Sequence, residues 1–204
     1  AIACSSGTAA LHLALLSLNI GKKDLILVPS LTFVATVNAI NYVGASPIIV
    51  DIDYRSSHID CNVLKNFFLK SCTIKNGKCI HKETNKTVAC ILVAHILGHG
   101  SELLEIKKIA NKNNVYLIED AAEAVGVSYK SKKLGSVGKI GCFSFNGNKI
   151  ITTGSGGMVV TNSKLIARKV RYLSTQAKES GTEFIHKEVG YNYRMSNIHA
   201  SLGL

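Results

Sequence analysis

The sequence is poor in acidic residues and has no long apolar run. Of its 204 residues, 13 are Asp or Glu and 24 are Lys or Arg, giving a formal net charge of +11. No apolar stretch is long enough to cross a bilayer. No basic region precedes the apolar N-terminal stretch, as a signal peptide would require. We therefore expect a cytoplasmic protein with no membrane partner.

The sequence also lacks any CxxC pair and any Cys/His set with the spacing of a zinc site. Its six cysteines are scattered along the chain. Cys90 and Cys142 lie in apolar, strand-like runs, where buried free thiols are common. These features predict a reducing compartment, no disulfide and no bound metal.

The excess of basic residues is spread over the chain rather than clustered. Lys22-Lys23, Lys107-Lys108 and Lys132-Lys133 are separate pairs. No basic patch is interleaved with aromatic residues, as single-stranded nucleic-acid sites often are. We expect a solvated basic surface and no nucleic-acid partner. An anionic substrate fits this charge but is not required by it.

Short apolar β-rich runs alternate with helical patterns. A hydrophobic fraction of 47% with 18% charged residues indicates a globular protein. Apolar strands separated by helices are typical of an α/β fold with a mostly parallel sheet. A polar segment at 71–87, with a turn signal at Asn76-Gly77, predicts a loop or small hairpin. The predicted strands are 25–28, 47–51, 88–94, 115–118, 140–145 and 158–161, and the predicted helices are 8–18, 32–43, 60–70, 101–112 and 165–173.

Two short segments could belong to a ligand-binding site. Gly7 and Thr8 follow two serines and open a helical stretch, where free N–H groups can bind phosphate. Asp120 comes at the end of a predicted parallel strand, the edge at which open α/β sheets bind ligands. Each has an ordinary structural explanation, since serine and aspartate also cap helices and Glu123 alone would be a solvated charge.

Lys149 lies between an apolar strand and a Gly-rich loop that leads into a second strand. A lysine held in this way can act as a nucleophile and form a Schiff base. Pyridoxal phosphate requires such a lysine, a carboxylate facing its ring nitrogen and a phosphate site. The order along the chain, phosphate loop, Asp120, Ser144 and Lys149, supplies all three.

Five segments together resemble the DegT/DnrJ/EryC1/StrS family of sugar aminotransferases. The resemblance covers essentially the whole chain in the right order, and it implies a fold-type-I pyridoxal phosphate large domain with a mostly parallel central sheet flanked by helices. The segments are SSGTAALHLAL, PSLTFVATVNAI, IEDAAEAVG, FSFNGNKIITTGSGGMVVT and GYNYRMSNIHASLG.

The resemblance assigns a role to each candidate site residue. Lys149 would be the Schiff-base lysine and proton shuttle, and its presence favours transamination over the related dehydratases. Asp120 would pair with the ring nitrogen, Phe33 would stack on the ring, and Glu123 would lie beside the ring oxygen. The phosphate would be held by Gly7, Thr8 and Ser144 and, from the neighbouring subunit, by Asn192, with Arg194 as an alternative.

The resemblance also implies an activity and partners. A homodimer with shared active sites would move an amino group from glutamate to a keto-sugar nucleotide in a ping-pong reaction. The segments NGKCIHKETNKT and STQAKES further resemble enzymes acting on a UDP-linked 4-keto-6-deoxy-N-acetylhexosamine for surface glycans. Alternatives are an aminotransferase or lyase of amino-acid metabolism, with Arg194 binding a carboxylate, and a non-catalytic remnant with a basic binding surface.

Family members extend beyond both ends of this sequence, which starts without Met and ends at Leu204. We therefore expect a fragment. It would contain a large domain over 1–190, truncated at its N-terminus, and the start of a C-terminal region at 191–204.

Overall fold

A nine-stranded sheet forms the centre of the computed structural model, which describes residues 1–100, 102–179 and 182–204. Two further strands, β8 and β9, pair only with each other. In chain order the strands are β1 (Ile2–Cys4), β2 (Asp24–Pro29), β3 (Ser46–Val50), β4 (Cys72–Lys75), β5 (Lys78–His81), β6 (Thr87–Ala94), β7 (Tyr116–Asp120), β8 (Ser128–Tyr129), β9 (Lys132–Lys133), β10 (Ile140–Ser144) and β11 (Gly157–Val160).

The sheet is parallel through its middle and antiparallel at one side. Its order is β1-β11-β10-β7-β6-β2-β3, with the hairpin of β4 and β5 attached to β6. The strands from β10 to β3 pair in parallel. Strands β1 and β11 run antiparallel to their neighbours. This arrangement confirms the predicted α/β fold with a mostly parallel sheet.

Helices cover both faces of this sheet. They are α1 (Gly7–Ser17), α2 (Val34–Tyr42), α3 (Cys61–Ser71), α4 (Leu103–Lys112), α5 (Lys164–Ser174) and α6 (Asn197–Ser201). Alternate residues of the buried strands point to opposite faces. Thus Ile26 and Val28 pack with α1, α2 and α5, whereas Leu25 and Leu27 pack with α3 and α4. The result is a three-layer structure with two hydrophobic cores.

Most predicted elements are present within a few residues of their predicted bounds. The 71–87 segment forms the β4–β5 hairpin around Asn76-Gly77. Strand β1 was not predicted, because three residues carry no readable periodicity and the strand depends on pairing with distant β11. Ser101 of the predicted 101–112 helix and Ser180 of the STQAKES segment lie outside the described residues.

The expectations on cysteines and membrane segments can be compared directly with the structure. All six cysteines are buried and free. Within the described ranges, no group of three or more His, Cys, Asp or Glu side chains could hold a metal ion. None of the helices described combines the length and the apolar character needed to span a bilayer.

A buried histidine joins the C-terminal segment to α1. The ring of His12 packs edge-on against Tyr42, Tyr191 and Tyr193, at centroid distances of 5.6, 4.9 and 5.9 Å. Its Nδ1 is 3.3 Å from the Tyr193 hydroxyl. Burial lowers the pKa of His12 below its ordinary value of 6.5. The fold therefore favours the neutral imidazole.

We expect this site to make the fold sensitive to acid. Below about pH 6.5 the unfolded chain binds a proton at this histidine that the folded chain resists, so stability falls as the pH drops towards the lowered pKa. His12→Phe removes this contribution. Urea unfolding at pH 7.5 and pH 5 should therefore show a smaller acid-induced loss in the variant. Equal losses in both proteins would contradict the prediction.

Candidate active site

A cavity of about 480 Å³ opens at the carboxyl ends of the parallel strands. Residues at or just after the ends of β6, β7 and β10 line it together with the N-terminus of α1. This is the sheet edge at which α/β proteins bind ligands. Its polar and charged lining includes Ser6, Thr8, Thr32, His95, Asp120, Glu123, Ser144, Asn146, Asn148 and Lys149.

One end of the cavity is suited to a phosphate group. The Ser6 hydroxyl caps α1 by accepting from the Ala9 N–H at 3.1 Å. The remaining free N–H groups of the first turn favour an anion. A Cβ atom built on Gly7 would lie 2.7 Å from the Cβ of Ser144, so only glycine allows this approach. The structure thus brings Gly7, Thr8 and Ser144 together, as the sequence predicts.

Gly7→Ala should therefore weaken phosphate-ester binding. The added methyl would overlap Ser144, and overpacking of this kind costs about 1–3 kcal/mol, or about tenfold to hundredfold in affinity. Titration with pyridoxamine phosphate measures the loss. Gly21→Ala is the matched control, because its Cβ would have no contact nearer than 3.7 Å. Equal affinities in the two variants would contradict the close packing.

Asp120 is held in the wall of the cavity by two donors. Its Oδ2 accepts from the Thr36 hydroxyl at 2.7 Å, and its Oδ1 accepts from the Ala122 N–H at 3.2 Å. Thr36 in turn accepts from the Thr32 hydroxyl at 2.8 Å. Burial raises the pKa of Asp120, and the bonds from Thr36 and Ala122 and the nearby His95 and Lys149 oppose that effect. A cationic ligand group facing Asp120 would relieve the buried charge.

Lys149 faces a carboxylate across the cavity. Its Nζ is 3.3 Å from Oε1 of Glu123, and the two side chains are 15% and 37% exposed. The other oxygen of Glu123 accepts from the Leu97 N–H at 2.8 Å. Lys149 is carried by the loop after β10, where its own N–H donates to the Asn146 carbonyl at 3.0 Å. A partly shielded amine is thus held beside a fixed proton acceptor.

The remaining predicted residues lie in different places. Phe33 lines the cavity at the start of α2, with 69% of the residue exposed. Asn192 is exposed, and its backbone bridges to Thr175. Neither Asn192 nor Arg194 is among the residues that line the described cavity. Their predicted contact with a neighbouring subunit stays a prediction.

Three buried residues had no role in the sequence-based prediction: Thr36 and Glu119, which lie outside the cavity lining, and His95, which is part of it. Thr36 orients Asp120. Glu119 and His95 form a fully buried pair, with Oε2 of Glu119 3.0 Å from Nε2 of His95. One weak sequence signal was the four-residue spacing of Thr32 and Thr36, which the predicted 32–43 helix would place on one face. In the structure Thr32 precedes α2. The Glu119–His95 contact has no local signal, because it joins two strand ends.

The residues present fit pyridoxal phosphate. Lys149 supplies the amine, Asp120 a buried carboxylate, and the start of α1 a cradle that a larger side chain at Gly7 would fill. Phe33 offers an apolar ring at the open side of the cavity. These are the three groups the cofactor requires together with a ring to pack on it.

Comparison with known proteins gives a consistent result. The model of the DegT/DnrJ/EryC1/StrS aminotransferase family matches residues 1–204. The GDP-perosamine synthase of Caulobacter vibrioides is 43% identical over all of this chain and 51% of its own length. A UDP-N-acetyl-3-dehydro-alpha-D-glucosamine 3-aminotransferase of Acidithiobacillus ferrooxidans is 36% identical over 98% of this chain and 49% of its own.

Solved structures of similar fold include one with the cofactor. NtdA from Bacillus subtilis, determined with bound cofactor PMP, superimposes with a TM-score of 0.83 at 29% identity, covering 99% of this chain and 42% of its own. Pyridoxal and pyridoxamine phosphate are thus the cofactors of this group of proteins, as the sequence predicts. The chain spans about half the length of the curated relatives it matches. The family match over the whole sequence shows that the chain belongs to the DegT/DnrJ/EryC1/StrS aminotransferase family.

Proposed function

We propose that this protein transfers an amino group from glutamate to a nucleotide-linked keto-sugar, with pyridoxal phosphate as its cofactor. The observation that carries the proposal is the Lys149 amine, 3.3 Å from Glu123 in a cavity that Asp120 also lines. When bound, pyridoxal phosphate supplies a carbonyl that links to an amine and a ring that accepts electrons from the adjacent carbon.

Each residue has a definite task in this reaction. The first turn of α1, with Ser144, would hold the phosphate of the cofactor. Asp120, oriented by Thr36, would keep a proton on the ring nitrogen. Lys149 would hold the cofactor covalently, and its Nζ would carry the proton that amino transfer moves. Glu123 orients that amine and can exchange a proton with it across 3.3 Å.

The nucleotide is the less determined part of the substrate. The sequence resemblance favours a UDP-linked 4-keto-6-deoxy-N-acetylhexosamine. The relatives named above act, by their names, in GDP-linked and UDP-linked sugar chemistry. We therefore propose a nucleotide-linked keto-sugar as the substrate class and the UDP-linked sugar as the first compound to test.

Partners and location follow as further proposals. We propose a cytoplasmic homodimer in which the open side of each cavity faces the partner chain. Phe33, which lines the cavity, and Ile150, which follows the lining residue Lys149, are apolar and each 69% exposed, and they support such a contact. In this arrangement Asn192 or Arg194 of one chain would reach the phosphate held by the other.

The proposal is tested with the full protein. Purified with pyridoxal phosphate, it should show a visible absorbance band that borohydride removes, with the label on Lys149 after peptide mapping. Glutamate alone should then yield at most one equivalent of 2-oxoglutarate per bound cofactor, and repeated turnover should require a keto-sugar nucleotide, so that UDP- and GDP-linked substrates can be compared directly. Turnover with simple keto acids instead would favour the alternative in amino-acid metabolism. Absence of cofactor uptake would remove the enzyme proposal.

A further inference from the structure

A buried carboxylate lies immediately behind the cavity wall. Glu119 is fully buried, and four donors surround it. Its Oε2 accepts from the Gly135 N–H at 2.7 Å and faces Nε2 of His95 at 3.0 Å. Its Oε1 accepts from the N–H groups of Val137 and Gly138 at 2.7 and 2.5 Å. Because a carboxylate only accepts, Glu119 makes Nε2 of His95 the donor and so fixes the orientation of the imidazole.

His95 in turn begins a tight turn. Its N–H donates to the Asp120 carbonyl at 3.0 Å, and its carbonyl accepts from the Gly98 N–H at 3.1 Å. Within the turn, Leu97 has a φ of 52° and is 80% exposed. A left-handed conformation is unfavourable for a non-glycine residue. Since the Leu97 side chain gains little from burial, contacts elsewhere must hold the turn in this shape.

The turn contacts Glu123 at two points. The Leu97 N–H donates to Oε2 of Glu123 at 2.8 Å, which directs Oε1 towards Nζ of Lys149 at 3.3 Å. Gly98 approaches so closely that a Cβ there would lie 2.9 Å from the Glu123 carbonyl oxygen. Leu97, in this left-handed conformation, donates its N–H to the carboxylate. The turn therefore sets the position of the Glu123 side chain.

We propose that Glu119 and His95 are positioning residues for Lys149. They act through the 96–98 turn, which holds the Glu123 carboxylate against the Lys149 amine. The consequence for catalysis rests on the proposed function, whereas the contacts that connect His95 to Glu123 are present in the cofactor-free protein. Loss of the His95 bond should misplace the Glu123 and Lys149 groups and disturb the phosphate site at the start of α1 less.

Two ligands separate this role from general support of the fold. Pyridoxamine phosphate carries the ring and phosphate but has no carbonyl, so its affinity reports the cavity alone. Pyridoxal phosphate can also be captured by Lys149. In His95→Phe we expect capture, followed by borohydride trapping, to slow about tenfold or more, a larger factor than the loss of affinity for pyridoxamine phosphate, which reports the change that the substitution makes in the cavity lining itself. Equal weakening of both would overturn the proposal.

A second variant breaks the same link at the turn. Gly98→Ala places a methyl against the Glu123 carbonyl without touching His95 or Glu119. It should likewise slow the capture of pyridoxal phosphate more than it weakens the binding of pyridoxamine phosphate. His95→Gln, which keeps an amide donor for Glu119, should restore part of the capture rate. In a Glu123→Ala background, adding His95→Phe should cause no further loss of capture. An additive loss would overturn the proposal.

A readout without cofactor distinguishes this inference from the proposed function. Amide hydrogen exchange at Leu97, followed by NMR in the cofactor-free protein, should accelerate about tenfold or more in His95→Phe. Leu103→Ala removes buried apolar volume from the core on the α3 and α4 face of the sheet. This control should not accelerate exchange at Leu97 more than at other amides. Unchanged exchange at Leu97 overturns the link. Accelerated exchange in a protein that takes up no pyridoxal phosphate supports the link and rejects the proposed function.

Discussion

Lys149→Ala should abolish covalent cofactor capture and reduce amino transfer by on the order of 10³-fold or more. The amine of Lys149 is the nucleophile that lines the cavity, and it lies next to Glu123. Without it, the cofactor can bind only through its phosphate and ring, and no group replaces the amine as the proton carrier. The measurement compares borohydride-stable labelling and glutamate-dependent turnover in the variant and the parent protein.

Two comparisons make this result specific to Lys149. Lys132→Ala removes an exposed lysine on the β8–β9 hairpin and should leave both labelling and turnover unchanged. Pyridoxamine phosphate needs no amine, so its affinity should remain close to that of the parent protein in Lys149→Ala. Labelling that persists in this variant would assign the covalent link to a different residue and contradict the proposed role.

Asp120→Asn should lower the rate of amino transfer on the order of 10²–10³-fold, the loss typical when one charge-stabilising group of an active site is removed. Asparagine keeps nearly the same shape, and its amide oxygen can still accept from Thr36, which now donates at 2.7 Å. What it lacks is the negative charge that keeps a proton on the ring nitrogen. Single-turnover measurements with glutamate should show the loss in the chemical step.

The same substitution should not destabilise the cofactor-free protein at neutral pH. Burial raises the pKa of Asp120 above its ordinary value of 3.8. The folded chain therefore binds this proton more readily than the unfolded chain, and stability falls as the pH rises from 3.8 through the raised pKa. Asparagine carries no such cost, and this gain should outweigh the loss of the 3.2 Å bond from the Ala122 N–H, which the asparagine NH2 group cannot accept. Thermal unfolding at pH 7 should show a variant at least as stable as the parent protein.

Adding pyridoxal phosphate should make the parent protein more stable to heat than Asp120→Asn. The parent protein gains a buried charge pair with pyridoxal phosphate, whereas the variant gains only packing and phosphate contacts, so the parent should show the larger rise in Tm. An equal rise in both would mean that Asp120 does not face the ring nitrogen. A clearly less stable cofactor-free variant would contradict the raised pKa.

Local sequence patterns were sufficient to locate the main parts of the cavity. A serine cap followed by Gly7 and Thr8 specifies a helix N-terminus with free N–H groups. Asp120 and Ser144 stand at the last residues of two parallel strands, and such ends meet at the same edge of a sheet. The hairpin at Asn76-Gly77 was equally predictable, because its turn chemistry lies within a few residues.

The contacts that fix those parts were not predictable, because they join residues far apart in the chain. Thr36 reaches Asp120 across 84 positions, and His12 meets Tyr193 across 181. Strand β1 is defined by its pairing with β11, not by any pattern in three residues. Single-sequence periodicity reports which face of an element is buried, but not which partner covers that face.

The sequence by itself thus determined the fold class and the family, and it singled out Lys149, Asp120 and the Gly7–Thr8 turn as candidate site residues, because each depends on residue type at a position set by local structure. Only the tertiary structure decided how those groups are oriented. The Thr36 hydroxyl donates to Asp120, the Leu97 N–H donates to Glu123, and Glu119 pairs with His95. Hydrogen bonds of this kind depend on distances of about 3 Å between elements, and those distances arise only when the helices and strands pack together.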